Sequence, residues 1–352
     1  MSQHVEAIIV AGGFGTRLRP LSTRNPKHLL DVGGVPFLEH QVTRLADAGV
    51  DHIVLATSYR ADRFEPVLGD GNRWGVRLDY VQEAEPLGTA GAVRNVVGLL
   101  GRDPAGAVVV LNGDILSGHD LSAQLADFER PRDGRQVDVS LHLVRVADPR
   151  PFGCVPTDEH GRVTGFVEKS ENPGTDQINA GCYVFRRRVI DAIPSGRAVS
   201  VERETFPDLV ASDHLVVGFV EPAYWRDVGT PQSLVAASKD LVLGVVASPA
   251  ADAEPSGARI AETADVAASA TVNGGSVVAA GARVGALAIV SGSVVMANAV
   301  VEEGAVVVDS AIGPAAVVGA SADLRGTTLG DEARVRAGAR LEGELVECAG
   351  EV

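Results

Sequence analysis

Residues 6–17 read EAIIVAGGFGTR: a six-residue, mostly apolar run from Glu6 to Ala11, then Gly12, Gly13, Phe14, Gly15, Thr16 and Arg17. A short apolar run cut off by glycines has the profile of a buried strand ending in a tight turn. Glycines there let backbone amides approach a bound group closely, and an arginine behind them can neutralise phosphate oxygens. The spacing G-G-x-G-T-R is neither the dinucleotide fingerprint nor a Walker loop, because no Gly-Lys-Ser/Thr follows. Further on, Pro26-Lys27 brings a second cation towards the same loop.

Outward from this stretch, HIVLAT (52–57) and AVVVLN (107–112) are two more buried-strand runs, the latter ending in Gly113-Asp114. Helical spacing is expected over 37–48, 89–100, 119–128 and 231–243, and further strands over 137–144, 162–168, 180–185 and 215–220. Strands alternating with helices predict an α/β layered fold with a largely parallel central sheet. Ligands in such sheets sit beyond the carboxyl ends of the strands, where Gly12 and Asp114 fall.

The last third follows other rules. All fifteen Phe, Trp and Tyr residues lie before residue 226. Residues 244–258, GVVASPAADAEPSGA, read as a linker. Beyond it aliphatic residues recur every six: Ile260, Val266, Val272, Val278, Val284 and Val290, then Val294, Val300, Val306, Ile312, Val318 and Leu324, then Leu329, Val335 and Leu341. Small residues often stand four places on, among them Ala264, Ser276, Ala288, Gly304 and Ser310. A hexapeptide period predicts a parallel β-helix with the aliphatic residues stacked inside. The expected domains are therefore 1–243, a 244–258 linker, and 259–352.

Composition narrows the function. Of 352 residues, 31 are Lys or Arg and 46 Asp or Glu, a net charge of −15. Such a chain repels nucleic-acid backbones and anionic membranes, so neither is an expected partner. The N-terminal MSQHVEAIIVAGG lacks the basic region of a signal peptide, and no run reaches the roughly 18 apolar residues of a membrane span, so a cytoplasmic protein is expected. Cys154, Cys182 and Cys348 fit neither a disulfide framework nor a metal knuckle, and the eight histidines show no zinc spacing. Only Lys27, Lys169 and Lys239 stand against 28 arginines, which hints that a compact ammonium is needed at some of them.

GGFGTRLRPLS with Pro26-Lys27 resembles the signature of the sugar-1-phosphate nucleotidylyltransferases (NDP-sugar pyrophosphorylases). So do Pro86-Leu87-Gly88-Thr89-Ala90, Asn112-Gly113-Asp114, Glu168-Lys169, Asn179-Ala180-Gly181 and Trp225-Arg226-Asp227-Val228-Gly229-Thr230, in that order, over about residues 5–243. FGCVPTDE (152–159), QINAGCYVF (177–185), VSVERE (199–204) and YWRD (224–227) look most like the actinobacterial mannose-1-phosphate guanylyltransferase branch. One departure is His28, where the family commonly has proline after the signature lysine.

The resemblance implies a Rossmann-like nucleotidyltransferase domain with a mixed, mostly parallel sheet, followed by a left-handed β-helix. It implies attack by a sugar 1-phosphate on the α-phosphorus of an NTP, with GTP and mannose 1-phosphate as the implied pair. Arg17, Lys27, Asp114, Lys169 and Asp227 are the implied catalytic set. Ala11, Gly12, Gly13, Gly15, Thr16, Arg17, Gln82, Pro86, Gly88, Thr89 and Asp114 would bind the nucleotide. Gly153, Glu168, Lys169 and Asn179 would bind the sugar phosphate, and Asp114 with Asp227 would hold Mg²⁺ through hard oxygen ligands. The same chemistry on another hexose or a cyclitol phosphate is an alternative, and a non-catalytic sugar-nucleotide sensor is a second. An acyltransferase in the coils is disfavoured, since all eight histidines precede residue 215 and none can serve there as a base. The coils read instead as an assembly or regulatory element, with a homo-oligomer expected.

Overall fold

In the computed structural model, residues 5–58, 60–251 and 254–352 are described. The first four residues of the expected catalytic domain (with His4 among them) and residues 252–253 of the expected linker lie outside the described residues. By its internal contacts the chain forms two compact units: residues 1–12 with 42–225, and residues 13–41 with 226–352. The first boundary falls between Gly12 and Gly13, inside the glycine turn.

The first unit is built on a nine-stranded sheet among the described residues. Its strands are β1 (Glu6–Ala11), β2 (His52–Thr57), β3 (Arg77–Gln82), β4 (Ala107–Asn112), β5 (Val139–Arg145), β6 (Gly153–Cys154), β7 (Val167–Glu168), β8 (Gln177–Arg186) and β9 (Val216–Val220). The main path runs β7-β6-β8-β4-β1-β2-β3, with β5 paired to β8 and β9 to β5. β4, β1, β2 and β3 are mutually parallel, and β8 runs antiparallel to β4 and β5. This is the mixed, mostly parallel sheet of a Rossmann-like nucleotidyltransferase domain. β1, β2 and β4 are continuous apolar runs because helices cover both faces of a parallel sheet. Their side chains join one core with Ala90 and Val93 of the helix Gly88–Val96 and with Tyr183, Phe185 and Phe206.

Three expectations shift. RLDYVQ (77–82) forms the edge strand β3, although polar residues at 77, 79 and 82 break any apolar run there. The stretch expected as a strand over 162–168 is one only at β7, the rest being loop. A one-turn π-helix, Val201–Thr205, precedes the helix Phe206–Ala211 in a region with no sequence assignment.

In the second unit the hexads form three parallel ladders, one of six strands and two of five, as a left-handed β-helix of hexapeptide repeats requires. The inner residues are Val278, Val284, Val290, Val295, Val301, Val307, Ile312, Val318, Leu324, Leu329 and Val335. The expected register is thus wrong by one residue in the middle coil: Val295, Val301 and Val307 are fully buried, while Val294, Val300 and Val306 stand on the outer side of the same strands. Ala305, not Gly304, is the small residue of that coil that joins the core. The cause lies at one corner. The step from Val272 to Val278 spans Gly274-Gly275, whereas the step from Val290 to Val295 holds only Gly292. From there each coil repeats as six, six and five residues.

That corner also carries a hydroxyl ladder, Ser276, Ser293, Ser310 and Thr327, with each hydroxyl buried. The backbone N–H of Ser293 donates to Ser276 Oγ at 3.1 Å, that of Ser310 to Ser293 Oγ at 3.0 Å, and that of Thr327 to Ser310 Oγ at 3.0 Å. Buried backbone donors at the tight corner are satisfied in this way. The helix Pro231–Val242, capped by the Thr230 hydroxyl, packs on the coil strands Ser276–Val278 and Ala311–Ile312.

Candidate active site

In the first unit the glycine turn leaves β1 beside the end of β4. Val10 pairs with Asn112, and the Gly113 N–H donates to the Val10 carbonyl at 2.9 Å. Gly12 and Asp114 therefore stand at the carboxyl ends of adjacent parallel strands, with the Asp114 side chain half-buried. Ala11 is buried under the turn.

Sequence reasoning placed Gln82 against the nucleotide, but its side chain is exposed. The neighbour Glu83 is 7% exposed and faces the turn: a Cβ on Gly12 would lie 3.4 Å from Glu83 Oε2. Its Oε1 has no hydrogen-bond partner, and burial pushes its pKa up while the Leu87 N–H opposes that shift. A buried acceptor left open beside a glycine turn fits a ligand that donates. The signal in the sequence was strand alternation: Gln82 ends β3 facing out, so the next residue turns in.

Gly88 has a second, structural reason to be glycine. Its φ is +68°, and a Cβ would lie 2.7 Å from the Val199 carbonyl oxygen, which also accepts from the Ala90 N–H at 3.1 Å. Pro86 is exposed and Thr89 half-buried at the start of this helix.

Gly153 pairs with Glu168 across β6 and β7, and a Cβ on Gly153 would lie 2.8 Å from Glu168 Oε2. Glycine there leaves space for the carboxylate. Lys169 Nζ is 3.9 Å from Glu168 Oε1, with the lysine exposed and its backbone at φ +45°. A non-glycine residue in the left-handed region is an uncommon conformation. Asn179-Ala180-Gly181 is a bulge: the β5–β8 register shifts between Asn179 and Tyr183. Asn179 spans it, donating to Tyr183 Oη at 2.8 Å and accepting from the Gly181 N–H at 3.0 Å. Trp225 donates to the Ala180 carbonyl at 3.0 Å and packs edge-on against Phe152. Glu202, from VSVERE, is half-buried; burial raises its pKa and the Glu168 charge adds to that.

The second unit holds the other cations. Gly15, at φ +64°, starts a one-turn helix, Thr16–Leu18, on which Thr16 and Arg17 are exposed. Lys27 lies under the turn, so a Cβ on Gly13 would be 3.4 Å from its Cε and one on Gly15 3.1 Å from its Cβ. Arg17 Nη2 lies 3.5 Å from Asp227 Oδ2. His28, the departure from the family pattern, is 2% exposed in the turn Lys27–Leu29.

Of the expected residues, Gly12, Asp114, Glu168 and Lys169 fall in one unit and Gly13, Gly15, Arg17, Lys27 and Asp227 in the other. No group of three or more His, Cys, Asp or Glu able to hold a metal occurs among the described residues. Cys154 and Cys182 are buried, and His119 stacks on His142 at 3.8 Å beside Arg44, with burial and that guanidinium keeping both imidazoles neutral.

Comparison with known proteins fits this geometry. Residues 6–242 match the family model described as nucleotidyl transferase, and residues 256–351 match one described as GMPPB C-terminal domain. The mannose-1-phosphate guanylyltransferase of Mycobacterium tuberculosis is 55% identical over 252 residues, 71% of this chain and 68% of that protein. The catalytic subunit beta of the enzyme in Drosophila pseudoobscura pseudoobscura is 35% identical, over 65% of this chain and 60% of its own. Mannose-1-phosphate guanylyltransferase 1 of Arabidopsis thaliana is 36% identical, over 66% of this chain and 63% of its own. The chain thus spans less than two thirds of the length of these last two relatives. Among solved structures, HddC from Yersinia pseudotuberculosis, complexed with GMP-PN, aligns at TM-score 0.56 and 30% identity over 67% of this chain and 98% of its own. With both its sheet and its coils matched in this way, the chain belongs to the nucleotidyl transferase family.

Proposed function

We propose that this protein transfers a guanylyl group from GTP to mannose 1-phosphate, forming GDP-mannose and pyrophosphate. The observation that carries the base choice is Glu83, a buried carboxylate with an open oxygen beside Gly12. Guanine offers N1–H and N2–H₂ to such an acceptor on one edge. Ala11, Gly12, Gly13, Gly15, Pro86, Gly88 and Thr89 frame base and ribose, with Gln82 at the outer rim.

The attacking phosphate has its second pKa near about 6, so it is mostly a dianion at neutral pH and needs no general base. The task is to align two anions and to hold charge on the leaving pyrophosphate. Arg17 and Lys27 bind the phosphates from the glycine turn, and Thr16 adds a hydroxyl. Lys169 holds the sugar phosphate, Glu168 accepts from sugar hydroxyls, and Gly153 and Asn179 shape the floor beneath the sugar. Asp114 and Asp227 would hold a divalent cation, Mg²⁺ by the chemistry of their oxygens, which when bound screens phosphate charge. The presence of Arg17, Lys27, Asp114, Lys169 and Asp227 together argues for an enzyme rather than a sugar-nucleotide sensor.

We also propose a cytoplasmic location, which three free thiols favour. The outer coil face, with Leu287 64% and Ile289 41% exposed, supports self-association. Light scattering tests that. The activity is tested by kcat/KM over five NTPs and several sugar and cyclitol 1-phosphates. A UTP or dTTP preference overturns the base assignment, and GTP use without mannose 1-phosphate turnover transfers the reading to a pseudo-sugar.

A further inference from the structure

We infer that the last coils of the β-helix form a wall of the glycine loop and set the position of Arg17 and Lys27, so that the C-terminal domain acts on chemistry as well as on assembly. This rests on the phosphate-binding role proposed for those two cations. The loop between them, Leu18–Arg24, lies in the same compact unit as the coils.

Its outer side meets the coil edge at three places. Pro20 is buried, and a Cβ on Gly330 would lie 2.9 Å from Pro20 Cβ, so a larger residue would push the coil off the loop. The Cys348 thiol lies 3.6 Å from the Pro20 carbonyl oxygen. Arg24 Nη2 donates to Glu332 Oε2 at 2.9 Å, beside Asp331, which is 5% exposed with Oδ1 unpartnered.

Its inner side holds the turn. Ser22, 2% exposed, donates from Oγ to the Gly15 carbonyl at 2.7 Å. Gly15 in turn is flanked by Ser22 Cβ and Lys27 Cβ, 3.3 and 3.1 Å from where its own Cβ would stand. The path from coil to cation is therefore Gly330–Pro20, then Ser22, then Gly15, then Lys27 on one side and Thr16-Arg17 on the other. A ladder of β-strands is a rigid support for a loop that must hold two long cationic side chains in place. The exposed Arg24–Glu332 pair adds little alone, but reversing it sets a carboxylate against both Asp331 and Glu332 and parts the two surfaces.

The test uses full-length Arg24→Glu, Glu332→Arg and the double variant. Hydrogen exchange of amides 13–24 is read together with kcat and the KM for GTP. Like charges about 4 Å apart at a wet surface should speed exchange by about fivefold and raise KM by a similar factor, with kcat changed less. The double variant should return both towards wild type. Unchanged exchange and KM in both single variants would overturn the inference, as would lost activity without faster exchange at 13–24. A wild type without turnover in the same assay would instead overturn the functional reading, and exchange would still decide the coil contact.

Discussion

Arg17 Nη2 and Asp227 Oδ2 stand 3.5 Å apart, and Gly229 is what leaves them room: a Cβ there would lie 2.7 Å from Arg17 Nη2 and from Asp227 Oδ1. The glycine of the W-R-D-V-G-T motif is thus explained by a side-chain pair rather than by a turn, since its φ is not positive.

Gly229→Ala should therefore leave the backbone at ease and displace both side chains. The expected result is a loss of about tenfold or more in kcat/KM, with stability changed by less than about 1 kcal/mol. Thermal unfolding beside steady-state kinetics checks it; a fully active alanine variant would show that the Arg17–Asp227 geometry is irrelevant.

Asp114→Asn and Asp227→Asn each remove an anionic oxygen ligand from the proposed cation site. Turnover should fall roughly a thousandfold with the fold intact. Either variant retaining more than about a tenth of wild-type kcat at saturating Mg²⁺ removes that carboxylate from the site.

Glu83→Gln replaces one acceptor by a donor facing the donors of guanine. A mismatched buried group costs about 1–3 kcal/mol, so kcat/KM for GTP should fall about tenfold to a hundredfold. Because burial already raises the Glu83 pKa, losing the charge should not destabilise the fold. If the preference among NTPs is untouched, the base is read elsewhere.

His52 sits at the other end of the sheet, between Glu6 Oε1 at 2.7 Å and Asp79 Oδ2 at 2.8 Å. The Glu6 hydrogen bond raises its pKa more than burial lowers it, with Asp79 adding to the rise. A raised folded pKa makes this contribution to stability fully present below the unfolded value of 6.5 and lost as pH climbs through the folded value. Denaturant titrations of wild type and His52→Gln should show a stability gap that is largest near pH 6 and closes as pH rises. A gap that widens with pH would reverse the assignment.

Ser293→Ala should destabilise the β-helix, because Ser310 N–H loses its acceptor at a buried corner. The expected cost is about 1–3 kcal/mol. Ser293→Thr keeps the hydroxyl, as Thr327 does two rungs further on, and should lose less. Equal melting temperatures for wild type and alanine variants would show that the corner opens to water.

Much of this was legible in the chain itself. Continuous apolar runs at Glu6–Ala11, His52–Thr57 and Ala107–Asn112 specify central parallel strands, because only a strand covered on both faces can be apolar throughout. A six-residue aliphatic repeat specifies a β-helix, because one position per face points inward. The candidate site residues follow from the resemblance of their motifs to the sugar-1-phosphate nucleotidylyltransferases, not from periodicity. Other features depend on distances between segments far apart in sequence. The one-residue shift at Val295 comes from the corner built around Ser293, whose partners lie seventeen residues away on neighbouring coils. Glu83 displaces Gln82 as the buried group because its carboxylate meets Gly12, seventy-one positions earlier. The grouping of residues 13–41 with 226–352 arises from contacts such as Pro20 with Gly330. Periodicity and residue type report what each segment needs to bury; which partner buries it is decided only when the chain has closed on itself.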